Sequence, residues 1–452
     1  MPELPEVETV KRRLSLSLID KEIIDIDVFY PSYSSLKQIN NEKILDIKRK
    51  GKYLIFVLSN HFIVSHLRME GKYHIKEEKD LSKHDLVRFN FKNFYLFYND
   101  VRKFGTFNCF NKDIDIYNEY PLKDVGPEPF DVDGRYLYQK LTIKNEPIKA
   151  ALLDQHIISG LGNIYVDETL FMSSINPHRK SNTITEFEAS KLIESARIVL
   201  NKAIKLGGST IKSFESFNGE IGHFQTELSV HLREGERCKI CNAFIIKDRC
   251  AGRGTYYCPN CQREDENKKL FVITGGYASG KSSVLKILNN LGYETISLDD
   301  IYNNLFQSST KMKNAIKKKL KISSKEELKK LVFSDKEKNN ILMSITHPFV
   351  MEELYKEISK MNVQVIFIEV PLLFEGGFEK TFDKIIDVYS SPAIRDNILK
   401  NKGISYEDFI QRSNSQINIE EKRKKADFMV YNDGTKKDLL FKVKELLKMM
   451  EV

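Results

Sequence analysis

The stretch 269–292, "KLFVITGGYASGKSSVLKILNNLG", admits few folds. The apolar, β-branched run "LFVIT" is too short for a buried helix and is closed by two glycines, so it reads as a buried strand. "VLKILNNLG" then carries apolar residues at helical spacing. Between strand and helix lies Gly-x-x-x-x-Gly-Lys-Ser, from Gly275 to Ser282. That order is the one in which a glycine loop cradles phosphates on backbone amides. Gly275, Gly276, Ala278, Ser279, Gly280, Lys281, Ser282 and Ser283 are therefore candidate ligands of a nucleoside triphosphate. Lys281 would reach the terminal phosphates and Ser282 the accompanying Mg²⁺.

This unit begins only at residue 269 of 452, so two to four domains are expected. With 41% hydrophobic and 30% charged residues the chain can bury real cores. No apolar run approaches the roughly 18–20 residues of a membrane span. The N-terminus is acidic and lacks an apolar signal region, which points to a cytoplasmic protein without a membrane partner. The net charge of +8 is uneven: residues 1–267 carry +1 and residues 268–452 carry +7. Bulk charge therefore does not mark the first part as a nucleic-acid binder, and such a reading must rest on placed residues. Residues 22–110 read mainly as strands broken by Ser-Asn and Lys-Asn turns. Residues 131–206 read as helices, "ASKLIESARIVLNKAIKLGG" being the clearest and ending on glycines. The polar "QREDENKK" puts the main boundary near residue 267, and residues from 268 onward are expected to fold alone.

Five of the six cysteines fall within 24 residues, Cys109 standing apart. Cys238 with Cys241 and Cys258 with Cys261 form two Cys-x-x-Cys pairs separated by 16 residues, the spacing of two knuckles around a tetrahedral zinc. Four thiolates leave no open position, so the zinc would be structural. Cys250 reads as a spare small residue. The hairpin between the pairs, "DRCAGRGTYY", presents Arg253 between two glycines, where backbone can approach a ligand closely.

The first ten residues, "MPELPEVETV", combine a helix start with a chemical option. Pro5 and the acids suit the first turn of a helix whose apolar positions are Val7, Val10, Leu14 and Leu18. Pro2 and Glu3 precede that helix. Removal of Met1 leaves Pro2 with a free secondary amine, whose pKa of about 8 keeps more of it unprotonated than a lysine. Such an amine can attack an electrophilic carbon, with Glu3 beside it as an acid.

Together with "RKGKYLIF", "SHLRMEGKY", "KHDLVRF", "NDVRKFGTF", "GPEP", "GLGNIYVDETLF", "INPHR" and "AGRGTYYCPNCQ", this N-terminus resembles the formamidopyrimidine-DNA glycosylase family over about residues 1–264. The resemblance implies a multidomain fold: a β-sandwich catalytic domain (1–130), a helix–two-turn–helix domain (131–230) and a zinc finger (231–264), with damaged double-stranded DNA as partner. It implies Pro2 as nucleophile at the sugar, Glu3 as the acid that helps open the ribose, Lys52 as a proton donor around β-elimination, and Arg253 in δ-elimination and phosphate contact. Asn163 falls on a phosphate-binding position, and His84, Arg102, Lys144 and Lys149 on further DNA-contact positions. Met69, Arg102 and Phe104 match a trio inserted where a base has been everted. Arg68 and Glu70 stand where Gly and Ser are usual, and Val101 and Lys103 where Pro and Arg are common. The related endonuclease VIII group shares the proline chemistry but prefers oxidised pyrimidines; "PELPEVE" leans toward the purine-directed branch.

The segment behind the glycine loop, with "ISLDDIY", "ITHP", "IEVPLLFEGGFEK" and "KRKKADFMVYNDG", resembles dephospho-coenzyme A kinase over about 269–440. This implies a doubly wound α/β kinase domain (268–452) acting on dephospho-coenzyme A with Mg²⁺-ATP. Counted from Gly292, Asp299 falls on the acid beside the acceptor hydroxyl, Asp300 being the less favoured neighbour. His347 matches a position on the coenzyme A side, and Arg412 and Gln416 match later positions. Ser297 replaces a usual Asp, and Ile398 and Lys402 stand where arginines are usual in the lid helix. The two resemblances imply a monomeric fusion of a DNA-repair glycosylase/lyase with a coenzyme A biosynthetic kinase. The rivals are a DNA-binding protein with a non-catalytic nucleotide-binding appendage and a DNA-dependent ATPase.

Overall fold

The computed structural model describes residues 1–209, 222–265, 267–322, 328, 336–401, 403, 405–406, 409–410, 413 and 417–452. Lys402, Arg412 and Gln416 lie outside the described residues. The chain divides into two compact units, residues 1–233 with 247–257 and residues 234–246 with 258–452. No described helix is long and apolar enough to cross a membrane.

In the first unit, α1 (Leu4–Leu18) starts where the Pro-Glu repeat predicts and buries Val7, Val10, Leu14 and Leu18. It packs on a core shared by two antiparallel sheets. One sheet has the order β1 (Glu22–Ile23), β3 (Glu42–Lys50), β4 (Tyr53–Leu58), β5 (His61–His66), β9 (Thr106–Asn111). The other runs β2 (Asp25–Val28), β7 (Asp85–Asn90), β8 (Tyr95–Asn99), β6 (Lys72–Lys76). The Ser59-Asn60 turn joins β4 to β5, which pair from Tyr53↔His66 to Val57↔Phe62. A helical layer follows: α2 (Gly134–Leu141), α3 (Ile148–Leu153), α4 (Asn163–Met172) and α5 (Glu186–Lys205). Thr185 and Glu188 close a reciprocal cap at the start of α5, and Gly207 and Gly208 end it in the left-handed region. The hairpin β10 (Ile246–Cys250) and β11 (Arg253–Tyr257) turns through Ala251 and Gly252, both at positive φ, as a two-residue hairpin turn requires.

The second unit is built on a five-stranded parallel sheet. Its order is β13 (Glu294–Ser297), β14 (Val365–Glu369), β12 (Lys269–Gly275), β15 (Lys384–Tyr389), β16 (Phe428–Tyr431). Along β12, Leu270 and Val272 point into one core while Phe271 and Ile273 point into another. A strand buried on both faces explains the unbroken apolar run. One core is filled by α6 (Lys281–Asn290) and the C-terminal α12 (Lys436–Met449). The other is filled from α7 (Leu298–Ser308) and α9 (Lys336–Lys360). α8 (Thr310–Leu320), α10 (Pro392–Asn401) and α11 (Ile419–Lys425) complete the described helices used below. Phe244, from the cysteine segment, lies in the core with Val350, Leu354 and Phe378, although the polar junction near residue 267 predicts a kinase half that begins only after it.

Candidate functional sites

In the first unit Glu3 is buried, and its carboxylate sits on the N-terminus of α4. It accepts the backbone N–H of Gly162 (2.8 Å), Ile164 (3.1 Å) and Tyr165 (3.4 Å). A helix N-terminus offers unpaired N–H groups, so an anion is held there without a cation. Gly162 makes the approach possible: a Cβ there would stand 2.3 Å from the Glu3 carboxyl carbon. The glycine of "GLGN" is thus explained by Glu3. Lys52 is buried too, and its Nζ donates to the Leu161 carbonyl at 2.7 Å. Lys52 and Glu3 therefore hold the two ends of one peptide group, Leu161–Gly162. Burial pushes the Lys52 ammonium downward and Arg253 adds to this, while Glu3 and Glu6 oppose it. Pro2 is buried next to Glu3, behind an exposed Met1.

Glu6 is a residue that sequence reasoning used only for the helix start. It receives the Glu3 N–H (2.9 Å), the Tyr165 hydroxyl (2.6 Å) and the Ser209 N–H (2.7 Å), and so fixes the backbone beside Pro2. Its carboxyl is raised by burial and by the neighbouring Glu3. Glu3 is the N-cap of α1 and closes a reciprocal capping box with Glu6; an acid three residues after a polar residue that precedes a helix is the signal that would have singled it out.

Arg253 stands exposed near the hairpin tip. The hairpin is held from below. Lys149, fully buried, pairs with Asp167 (2.7 Å) and donates to Gly254 O (3.2 Å) and Thr255 Oγ1 (2.9 Å). Lys149, expected at a DNA-contact position, here has no exposed surface and supports the hairpin through three partners. Asn163, the first residue of α4, donates to the same Gly254 carbonyl at 3.0 Å. His178 pairs with Asp248 at 2.7 Å, and that carboxylate raises the imidazole to about 10.

Of the trio expected to enter the duplex, Arg102 and Phe104 lie on the loop between β8 and β9, and Met69 lies on the loop between β5 and β6. Buried Asp100 accepts the backbone N–H of Arg102, Phe104 and Gly105 at 2.8–2.9 Å and sets the turn. Phe104 is 52% and Met69 37% exposed, which core residues would not be. The Arg102 guanidinium lies over the Phe104 ring at 4.6 Å. The His84 carbonyl accepts the Asp100 N–H, tying His84 to the same loop. Lys144 is half-buried, with Glu146 and Asp154 carboxylates 3.7 and 3.6 Å away. Arg68 has a φ of 54°, so a side chain occupies a conformation that suits the family's usual glycine.

In the second unit the four sulfurs of Cys238, Cys241, Cys258 and Cys261 lie within 4.8 Å of one another. Two of the separations are 3.8 Å (Cys238–Cys261) and 3.4 Å (Cys241–Cys258). A zinc tetrahedron with bonds of about 2.3 Å has edges of about 3.8 Å, so the donor set fits that ion. Backbone N–H groups of Ile240 and Cys261 point at Cys238 and Cys258 sulfurs, both at 3.4 Å, as in metal knuckles. Cys250 is outside the set, its thiol directed to Pro177 O at 3.5 Å.

The glycine loop closes the carboxyl end of β12, the central strand. Gly280 takes a φ of 95°, and a Cβ there would stand 2.1 Å from Asn432 Nδ2. Asn432 and Ser390, at the ends of β16 and β15, both donate to Ser279 O (3.1 and 2.7 Å) and anchor the loop. Lys281 is buried and its Nζ rests on the carbonyls of Gly275 (3.2 Å) and Gly276 (3.0 Å). Burial pulls it down to about 8 against the attraction of Glu369, Asp299 and Asp387. Ser282 Oγ donates to Glu369 Oε1 at 3.2 Å. Glu369 was not foreseen, although an acid closing the apolar strand "VIFIE" is a legible signal. Asp299, in the first turn of α7, reaches solvent, yet its crowded surroundings push the carboxyl up, as Asp300 does, while Lys281 opposes both. His347 packs against Phe378, ring centroids 5.2 Å apart. Ile398 lies on α10, but Arg395 one turn earlier donates to Ser390 O at 3.0 Å, and its Nη1 comes within 3.9 Å of where a Gly276 Cβ would stand.

Comparison with known proteins follows this division. The family model of the formamidopyrimidine-DNA glycosylase N-terminal domain matches residues 1–107, and that of the formamidopyrimidine-DNA glycosylase H2TH domain matches residues 125–215. The dephospho-CoA kinase model matches residues 270–438. The formamidopyrimidine-DNA glycosylase of Bacillus cereus is 44% identical over 274 residues, taking in 58% of this chain and 99% of the relative. That of Lactococcus lactis is 42% identical over 275 residues, 58% of this chain and all of the relative. A solved complex of the Lactococcus lactis protein with DNA containing an abasic site superposes with a TM-score of 0.55 at 42% identity, covering 58% of this chain and 99% of that one. MutM in complex with carbocyclic 8-oxo-G DNA gives 0.54 at 41% identity, covering 58% and 100%. The chain belongs to the formamidopyrimidine-DNA glycosylase family and carries a dephospho-CoA kinase domain in its C-terminal part.

Proposed function

We propose that the chain is a bifunctional enzyme: a glycosylase/lyase for oxidised purines such as 8-oxoguanine and formamidopyrimidines in duplex DNA, and a kinase that phosphorylates the 3′-hydroxyl of dephospho-coenzyme A. The first activity rests on the Glu3 carboxylate seated on the α4 N-terminus directly behind Pro2. With Met1 removed, the Pro2 nitrogen forms a bond to the anomeric carbon of the damaged nucleotide. The glycosidic bond breaks and its electron pair leaves with the base, which takes up a proton. Glu3 assists opening of the ribose ring, giving the iminium. Loss of a proton from the adjacent sugar carbon expels the 3′-phosphate, and a second elimination expels the 5′-phosphate. Lys52, its ammonium made easier to deprotonate by burial, moves protons in these steps. Arg253 holds a phosphate, and Met69, Arg102 and Phe104 fill the gap left by the everted base. His84, Lys144 and Asn163 lie on positions that engage the backbone.

The second activity rests on the Ser282–Glu369 contact beside buried Lys281. A hydroxyl and a carboxylate are oxygen donors of the kind that hold Mg²⁺ with ATP. Asp299 takes the proton of the acceptor hydroxyl as its oxygen attacks the γ-phosphorus and ADP leaves. Arg395 supplies the planar cation that Ile398 and Lys402 do not, facing the loop from α10. The zinc bound by Cys238, Cys241, Cys258 and Cys261 orders its segment and touches neither reaction. One preparation tests both halves: borohydride trapping on an 8-oxoguanine duplex, and ATP-dependent phosphorylation of dephospho-coenzyme A. Absence of either product removes that half of the reading.

A further inference from the structure

The cysteine segment is fastened to the kinase sheet at both of its knuckles. Arg237, next to the ligand Cys238, donates from Nη2 to Gly376 O at 2.6 Å. Its guanidinium lies over Phe244 at 4.1 Å and over Phe378 at 4.6 Å. Asn242, next to Cys241, donates to Gly377 O at 3.1 Å. From the second knuckle, Asn260 reaches Lys380 O at 3.5 Å, and Arg263 binds both oxygens of Asp383 (2.9 and 3.1 Å) and Thr381 O (3.4 Å). Asp383 in turn accepts the N–H of Leu270, at the start of the central strand. Residues 376–383 thus have backbone carbonyls and a carboxylate satisfied from the two knuckles.

Two further observations show that this is a core contact. Phe244 is buried with Val350, Leu354 and Phe378. Tyr355, on α9 in the same core, is buried and has no hydrogen-bond partner for its hydroxyl among the described residues. Phe378 is also the ring on which His347 packs. A continuous line therefore runs from the ligand Cys238 through Arg237 and Phe378 to His347, the residue on the acceptor side of the kinase reading.

We infer that the four-cysteine centre, on the reading that this unit is a phosphotransferase, is a structural support of the kinase: it braces residues 376–383 against the acceptor side, with Arg237 as the positioning residue. Small knuckles of this kind depend on their metal to fold, because it holds the two cysteine pairs together. Without metal, Arg237 and Asn242 lose their fixed origin, and Phe244 and Phe378 lose the guanidinium packed between them. The kinase is then zinc-dependent although no zinc meets its substrates. This differs from the expectation, drawn from the polar junction, that residues from 268 onward fold alone.

The test uses the full chain with and without metal, stripped by chelator under reducing conditions and checked by metal analysis. Hydrogen exchange of residues 374–390 is read alongside phosphorylation of dephospho-coenzyme A. Metal loss is expected to speed exchange in 376–383 by tenfold or more, of the order set by loss of one charged hydrogen bond, and to depress transfer. Unchanged exchange there after complete metal loss overturns the inference. Because stripping can loosen more than this segment, Arg237→Ala is measured with its zinc retained. It is expected to raise the KM for dephospho-coenzyme A roughly tenfold while the KM for ATP stays within about twofold and DNA nicking is unchanged. Arg237→Lys should recover only part, since it keeps the charge but not the stacking plane. An Arg237→Ala protein with wild-type KM values and wild-type exchange in 376–383 also overturns it. If the wild-type chain transfers no phosphate, the kinase reading fails, and the exchange result alone still decides whether the knuckles brace the segment.

Discussion

Glu3 in the first unit and Glu369 in the second are both buried carboxylates near a buried lysine, but their surroundings differ. Glu3 meets three backbone N–H groups, and Lys52 meets the carbonyl of the same peptide. Lys149 likewise has Asp167, Gly254 and Thr255 in place. In the second unit Lys281 folds back on two carbonyls of its own loop. Around it, Glu369, Asp299 and Asp387 are all raised by burial, Asp387 to about 6. The first site is finished before substrate arrives. The second carries unmatched charge that phosphate and Mg²⁺ would match, so its resting state is held at an electrostatic cost that ligand relieves.

The largest effect expected from this contrast lies at the finished site. A chain that keeps Met1 has no free amine at Pro2, and borohydride trapping on an 8-oxoguanine duplex should fall to background while kinase activity is unaltered. Trapping at the normal level would remove Pro2 from the mechanism. At the second site, Asp299→Asn should slow transfer by about 10²–10⁴-fold and spare ATP binding, the usual size of a general-base contribution. Asp300→Asn should do far less, and Lys281→Ala should damage binding and transfer together. The opposite ranking of the two aspartates in steady-state assays would shift the catalytic base by one residue.

The poised charge also predicts a pH effect of definite sign. Asp387 has its folded pKa raised to about 6 from 3.8, so its ionised form is a penalty to the fold. The penalty is complete above about pH 6 and is relieved as the group protonates in the folded state. Asp387→Asn should therefore stabilise the second unit at pH 8, by up to about 3 kcal/mol if the whole shift is realised, and the gain should vanish as pH falls toward 4. Denaturant unfolding at the two pH values checks this; an equal gain at both would mean that shape, not charge, is responsible. The smallest expected effect returns to the first unit. Arg68→Gly should stabilise it by roughly 0.5–1 kcal/mol, since a side chain at positive φ is strained. It should also weaken duplex binding slightly at low salt through the lost cation. A destabilised variant would show that Arg68 is held there by contacts stronger than the strain.

Sequence made the chemistry-bearing residues more legible than their supports. The strand–loop–helix around Lys281, the two sulfur pairs and the Pro2–Glu3 start were readable because each is local: a few neighbouring residues carry the whole signal. Glu369 and Arg395 were missed because they meet the glycine loop only after a parallel sheet has brought β14 and α10 to one end. The supporting contacts of Lys149 were hidden for a related reason. A lysine in a family DNA-contact position looks the same in sequence whether it faces solvent or, as here, a buried Asp167. The junction near residue 267 was correctly seen as polar, but polarity on the chain does not report what Phe244 packs against.

The chain passes into the second unit at residue 234, returns to the first at 247 and leaves it again at 258. Synthesis runs in that same order. The first knuckle and Phe244 leave the ribosome before any kinase strand exists, so that ring stays uncovered until Phe378, more than a hundred residues later, has been made. A recombination event that exchanged the kinase at the polar junction would leave Arg237, Asn242 and Phe244 facing a surface they were not matched to. The contacts that complete the second unit therefore reach back into chain that precedes the stretch matched by the kinase family model.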